Sequence, residues 1–167
     1  FMGVQALFID KHLSNIGERY DFDSIRVGIQ PFSSDWRGFL FQDNQLGVRL
    51  FGTRDNNIYQ YNLAWFRRLE KDTNSGLNDL TQAPRKDDVF VANIYKQDFP
   101  VKGYFSQATI LHNRNRESGR EFEFDKNGFI QRPSSLLEER SARDYDIIYL
   151  GYNGDGHFDR LNITTSW

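Results

Sequence analysis

Apolar and polar residues alternate with a period of two along much of the chain, most clearly from Leu46 to Arg68, LGVRLFGTRDNNIYQYNLAWFRR. Leu46, Val48 and Leu50 point to one side and Gly47, Arg49 and Phe51 to the other, which is the spacing a β-strand imposes on its side chains. The run Gly52-Thr53-Arg54-Asp55-Asn56-Asn57 follows, rich in residues that accept left-handed backbone or bond their own main chain. Beyond it Tyr59, Tyr61, Leu63 and Trp65 share one face, and Gln60, Asn62, Ala64 and Arg68 the other, with Phe66 as the exception. The stretch predicts a β-hairpin with one greasy, aromatic face and one wet face.

The same unit recurs. A strand is expected over Gly3 to Ile9, then a polar connection from Asp10 to Asp21. The next strand, Asp23 to Gln30, sets Ile25, Val27 and Ile29 against Ser24, Arg26, Gly28 and Gln30. Pro31 is read as its end, because proline cannot donate to a central ladder. A connection from Phe32 to Asn44 leads into the hairpin, and Glu70 to Asp87 reads as a loop. Strands over Asp88 to Gln97 and Tyr104 to Asn113 are joined by the short turn from Asp98 to Gly103. From Arg114 to Asp144 the chain is highly charged, with a hairpin signal at Asp125-Lys126-Asn127-Gly128 and a possible helical turn over Leu136 to Arg140. Tyr145 to Tyr152 then turns at Asn153-Gly154-Asp155-Gly156 into a last strand, Phe158 to Trp167.

About eight strands are therefore expected, with connections that from the second strand onward alternate strictly between long and short. Antiparallel strands that cross a bilayer put successive connections on opposite sides, and outer-membrane barrels keep short turns on the periplasmic side and long loops outside. A soluble sandwich has no reason to segregate loop length. The expected fold is all-β, an antiparallel transmembrane β-barrel. It occupies residues 1–167 as a single domain or part of one, with 114–144 as a long external loop. Tyr59, Trp65, Tyr95, Tyr104, Tyr149 and Trp167, near strand ends, fit interfacial girdles; the alternative is that they are core aromatics of a soluble all-β domain.

Composition sharpens this picture at three points. The chain has 167 residues and a net charge of -2, so it lacks the basic excess that phosphate neutralisation requires, and nucleic acid is not an expected partner. Aromatics make up 16% of the residues, a bias towards strands. No cysteine is present, which removes disulfides and thiolate chemistry and suits a cytoplasm or a bacterial envelope equally. No run approaches the roughly 18 apolar residues of a membrane-spanning helix, whereas transmembrane strands need only about 9 to 11 with alternate positions apolar. The start, Phe1-Met2-Gly3-Val4, shows no signal peptide, which is read as cleavage or as an internal fragment.

Candidate chemistry is sparse. Asn153-Gly154-Asp155-Gly156-His157-Phe158-Asp159 resembles a calcium loop, with Asn153, Asp155 and Asp159 as candidate oxygen ligands. A carboxylate is missing at Gly151, however, and the motif occurs once, so a glycine-rich hairpin turn competes with Ca2+ binding; no other cofactor is expected. His12, His112 and His157 lie far apart, and no HExxH, GxSxG or phosphate loop occurs. An enzyme is not expected. Asn162-Ile163-Thr164 matches an N-glycosylation acceptor on a strand where it has no role. By parity Arg26, Arg49, Asn62, Arg68 and Arg160 face away from the apolar side and would line a lumen. There the arginines either bias it towards anions or pair with acidic neighbours.

The runs RVGIQPF (Arg26 to Phe32), DWRGFLFQDNQLGVRLFG (Asp35 to Gly52) and YNLAWFRRLEKDTNSGLND (Tyr61 to Asp79) resemble the barrel region of proteobacterial outer-membrane proteins, porin-like and TonB-dependent-receptor-like. The likeness covers mainly Ile25 to Gln97, with a continuation from Tyr145 to Arg160, and contains no plug or TonB-contacting segment. It implies a Gram-negative outer-membrane location and a channel or receptor for passage or uptake of a solute, anionic solutes included. Its implied partners are outer-membrane lipid, a small solute or anionic polymer, and other envelope proteins. The alternative is a soluble all-β binding domain with a calcium-type loop at 153–159. Large members of such families have more strands than are visible here, so the chain is expected to be a segment of a larger barrel.

Overall fold

The computed structural model of the chain describes residues 2–72, 74–118, 123–124, 128, 130–132 and 144–167. It is all-β and antiparallel, with no helix among the described residues. The strands are β1 (Gly3–Val4), β2 (Leu7–Asn15), β3 (Phe22–Ser33), β4 (Gln42–Arg54), β5 (Tyr59–Arg67), β6 (Asn78–Asp79), β7 (Asp87–Lys96), β8 (Tyr104–Asn115), β9 (Glu123–Phe124), β10 (Ile130–Arg132), β11 (Tyr145–Phe158) and β12 (Leu161–Ser166). Eight of them form one sheet in the order β12-β11-β8-β7-β5-β4-β3-β2, while β1 pairs with β6 and β9 with β10. Neighbours in the sheet follow one another along the chain, so it is a meander. Among the described residues β2 and β12 each have one neighbour in this sheet, and the strands do not close into a ring.

Register fixes the two faces. Ile25, Leu50, Leu63 and Ala92 are successive partners across four strands, as are Val27, Val48, Trp65 and Phe90. The other side carries Arg26, Arg49, Ala64 and Val91 in the same way. Among the described residues no layer covers the middle of the apolar side: Leu63 is 51% exposed and Ile110 54%, although both sit on interior strands. Most of the buried residues are on the polar side, although Ile29, Tyr104 and Ser106 are buried on the apolar one. On the polar side Phe32, Phe41, Ala64, Phe66, Val89, Val91 and Leu111 form a cluster with Leu40 packed on it. Gly47 makes room for this cluster, since a Cβ there would stand 2.5 Å from the Phe66 ring and 2.3 Å from the Trp65 carbonyl.

Polar groups border the apolar side at both ends. Towards one end Asp88 accepts from Trp65 Nε1 at 2.9 Å and Arg67 Nε at 2.7 Å, and Asp146 pairs with His112 and Arg116. Towards the other, Asp23 pairs with Arg54 and Tyr61, and the Lys96 ammonium lies over the rings of Tyr59 and Phe99. Connections 34–41, 68–86 and 116–144 leave the first end, and the shorter 16–21, 55–58, 97–103 and 159–160 leave the second. Loop length is segregated by side.

Several local expectations are corrected. The expected first strand divides into β1, which pairs with the 68–86 connection, and β2, which continues to Asn15 through residues read as a polar connection. That part of β2 reads as polar because Asp10 and His12 face the polar side, opposite Arg26 and Ser24. β3 runs past Pro31 to Ser33; β2 accompanies it only to Ile29, so one edge is open there and a missing N–H is tolerated. Tyr95 and Tyr149, expected in a girdle, are partnered with Gln107 and Leu111 on the polar side.

The expected turn at Asn153-Gly154-Asp155-Gly156 is strand, since β11 continues to Phe158 and reverses at Asp159-Arg160, where Asp159 has φ 52°. The Tyr104 ring explains the glycines. It lies across this segment, a Cβ on Gly154 would stand 1.9 Å from its hydroxyl and one on Gly156 2.3 Å from its ring, and the hydroxyl meets Thr165 Oγ1 at 2.9 Å. The expected hairpin residues 125–127 and the helical turn over 136–140 lie outside the described residues; the flanking β9 and β10 pair through Phe124 and Ile130.

Candidate functional site

The polar side is organised by the connection 34–41, which folds back over it. Ser34 N donates to the Phe41 carbonyl at 2.8 Å, closing the base of the loop. Asp35 then holds the interior: its carboxylate accepts from the amides of Arg37 (2.9 Å), Phe39 (3.2 Å) and Leu40 (3.1 Å) and from the Ser34 hydroxyl (3.2 Å). Burial alone would raise the Asp35 carboxyl, but these four donors outweigh it and hold it below its ordinary value.

The Ser34 carbonyl accepts from Asn93 Nδ2 on β7 at 3.0 Å and from Gln107 Nε2 and Thr109 Oγ1 on β8 at 3.2 and 3.0 Å. In a flat sheet β8 would lie four strand spacings, about 19 Å, from β3. Ser34 follows directly on the end of β3, so the sheet must curl strongly towards its polar side. The loop crosses that concavity, and Leu40 reaches β11, where a Cβ on Gly151 would stand 2.7 Å from it.

Beside the loop lies a cavity of about 330 Å³ lined by Phe32, Asp43, Arg49, Asn62, Asn93 and Gln107 among others. Arg49 Nε donates to Asn62 Oδ1 at 2.6 Å, Asn62 Nδ2 to Asn93 Oδ1 at 2.7 Å, and Asn93 on to Ser34, an amide chain that runs across three strands to the loop. A second cavity of about 350 Å³ is lined by Trp36, Arg37, Tyr95, Phe105, Asp155 and Thr164.

Of the residues singled out by parity, Arg26, Arg49 and Asn62 are brought together on this side. Arg26 is paired with Asp10 through two bonds of 2.5 and 2.7 Å. Arg68 stands at the long-loop end, 3.4 Å from the buried Asp87 and over the Phe41 ring. Arg160 is in the exposed turn after β11, because the last strand starts at Leu161. The candidate metal ligands Asn153 and Asp155 sit two residues apart on β11, and each is engaged across the ladder: Asn153 Oδ1 accepts from Ser166 Oγ at 2.7 Å and Asp155 Oδ1 from Thr164 Oγ1 at 2.5 Å. Asp159 is beyond them in the turn.

Ser34, Asp35, Asn93 and Gln107 were not singled out by the sequence. The Ser-Ser-Asp-Trp-Arg-Gly run carries an aspartate placed to bond main chain two residues on, which signals a tight loop but not its destination. Comparison with protein-family models, with curated proteins and with solved structures finds no match for the chain.

Proposed function

We propose that this sheet is the wall of a transmembrane β-barrel in a Gram-negative outer membrane and serves as a channel or receptor in passage or uptake of a small solute, without catalysis. The observation that carries the reading is an apolar side that the described residues leave exposed, opposite a polar, curled-in side. Contiguous exposed apolar surface across the middle of a sheet marks a membrane or a partner, and the polar borders at both ends set the height of the band. On β7 those borders, Asp88 and Lys96, are eight residues apart, roughly 26 Å along the strand and about 20 Å in height at a tilt of about 40°. An outer-membrane band is about 25 Å tall.

Loop segregation agrees, with the 34–41, 68–86 and 116–144 connections on the external side. The folded-in 34–41 segment then narrows the lumen. A lipid setting also requires the outer edges of β2 and β12 to be joined, directly or through further strands, since hydrocarbon offers no water to unpaired N–H and C=O groups.

Fractionation and flux test this together. The intact protein should leave membranes only with detergent and, reconstituted into liposomes, should admit small polar solutes. Recovery in a salt-washed soluble fraction overturns the reading and favours a soluble binding domain whose apolar side is covered by a partner.

A further inference from the structure

The polar side carries an arginine that no carboxylate contacts among the described residues, although it shares the field of Asp10 with Arg26. Arg26 is tied to Asp10 and Arg68 to Asp87, and the cavity's own carboxylate, Asp43, is engaged by Lys71, by Gln45 Nε2 at 2.8 Å and by the Asn44 amide at 2.7 Å. Arg49 has its Nε spent on Asn62, and among the described residues no carboxylate lies within 4 Å of its guanidinium. The group is half-buried and rests near two rings, 5.2 Å from the Phe32 centroid and 4.6 Å from that of Phe51. Those rings and the Asn62 bond fix a planar fork on the cavity wall, and such a fork binds a carboxylate through two parallel hydrogen bonds.

A second group in the same cavity asks for the opposite partner. Gln107 is 6% exposed, its Nε2 is held by the Ser34 carbonyl, and its buried Oε1 accepts from no group among the described residues. A buried acceptor left without a donor is costly; the oxygen is closed to solvent as it stands, and a small turn of the Gln107 side chain, which lines the cavity, would bring it to a ligand hydroxyl. We infer that the cavity beside the 34–41 loop is a subsite for a small hydroxylated monocarboxylate, bound through Arg49 and Gln107. The inference rests on the lumen reading and names the solute class.

Charge selects the monoanion. Arg26 and Arg49 have one carboxylate, Asp10, between them, so the net single positive charge balances one carboxylate, whereas a phosphate dianion would need a second cation. Size selects a molecule of sugar-acid dimensions, which about 330 Å³ accommodates as a single copy.

Calorimetry on the whole protein in detergent tests this with D-gluconate as the probe, and D-glucose, acetate and inorganic phosphate beside it. Gluconate should bind more tightly than any of the three. Arg49→Gln should weaken it by about tenfold to a hundredfold, the worth of a charge-assisted pair, and Arg49→Lys by less. Gln107→Leu should reduce the advantage of gluconate over acetate. Arg160→Gln, in the exposed turn, should leave gluconate affinity unchanged. Gluconate affinity that survives Arg49→Gln, equal binding of glucose, tighter binding of phosphate, or no gluconate binding at all each overturns the subsite. Liposome flux separates this from the channel: flux without gluconate binding removes the subsite alone, and binding without flux removes transport alone.

Discussion

Leu63 provides the sharpest test of which side meets lipid. It lies midway along β5, four residues from either end, between Leu50 and Ala92. At about 3.3 Å per residue each strand end is about 13 Å away, or about 10 Å in height at a tilt of about 40°, so Leu63 sits at the midplane of the proposed band. Replacing it with arginine there should cost about 2 to 4 kcal/mol. Asn62 is at the same depth on the other side and receives Arg49 Nε, so Asn62→Asp keeps the acceptor, adds a matching charge and gives up only the bond to Asn93. Its effect should stay within about 1 kcal/mol. Urea titration of reversible folding into lipid vesicles measures both, with Leu63→Ala subtracted to remove the lost apolar contact. Equal losses for Leu63→Arg and Asn62→Asp, or a Leu63→Arg loss no larger than that of Leu63→Ala, would refute the assignment of faces.

Three further outcomes are expected. Gly154→Ala should push the Tyr104 hydroxyl off Thr165 and lower stability by about 1 to 3 kcal/mol; in a thermal-melt cycle with Tyr104→Ala the double variant should lose less than the sum, and strict additivity would disprove the ring-over-glycine contact. Since the Asp35 carboxyl is held below its ordinary 3.8 in the folded chain, its stabilisation of the loop is complete above that value and fades as pH falls through the lower folded one. The protection of the Arg37, Phe39 and Leu40 amides against hydrogen exchange, relative to the intrinsic rate at each pH, should therefore fall in acid, and Asp35→Asn should flatten that dependence. Calcium should not raise the melting temperature, because Asn153 and Asp155 already accept from β12 hydroxyls; a calcium-dependent rise abolished by both Asp155→Ala and Asp159→Ala would restore the metal.

What the sequence made legible was whatever depends on neighbours along a strand. The parity of Leu46 to Arg68 and of Ile25, Val27 and Ile29 sorts correctly into two sides, and the alternation of loop lengths follows. What it concealed depends on residues distant in the chain. Asn153-Gly154-Asp155-Gly156 looks like a turn because glycine is common in turns, yet here it flattens a strand for a ring contributed by Tyr104. Phe66 looked like an exception on a wet face, but it is the centre of a cluster with Phe32 and Phe41, at ring distances of 5.1 and 5.5 Å. Arg160 was misplaced by a turn shifted along the chain, and Gln107 gave no signal, since nothing local marks an amide that will meet a carbonyl from another loop.

The three bonds to the Ser34 carbonyl join residues 59, 73 and 75 positions apart in the chain. Contacts of such long range form late, because the intervening chain must be ordered before they return anything. The 34–41 segment thus has nothing to dock on until β7 and β8 have joined β5. In the proposed channel the passage would begin wide, and its narrowing would be among the last events of folding, timed by the C-terminal half of the sheet although the narrowing segment belongs to the N-terminal half.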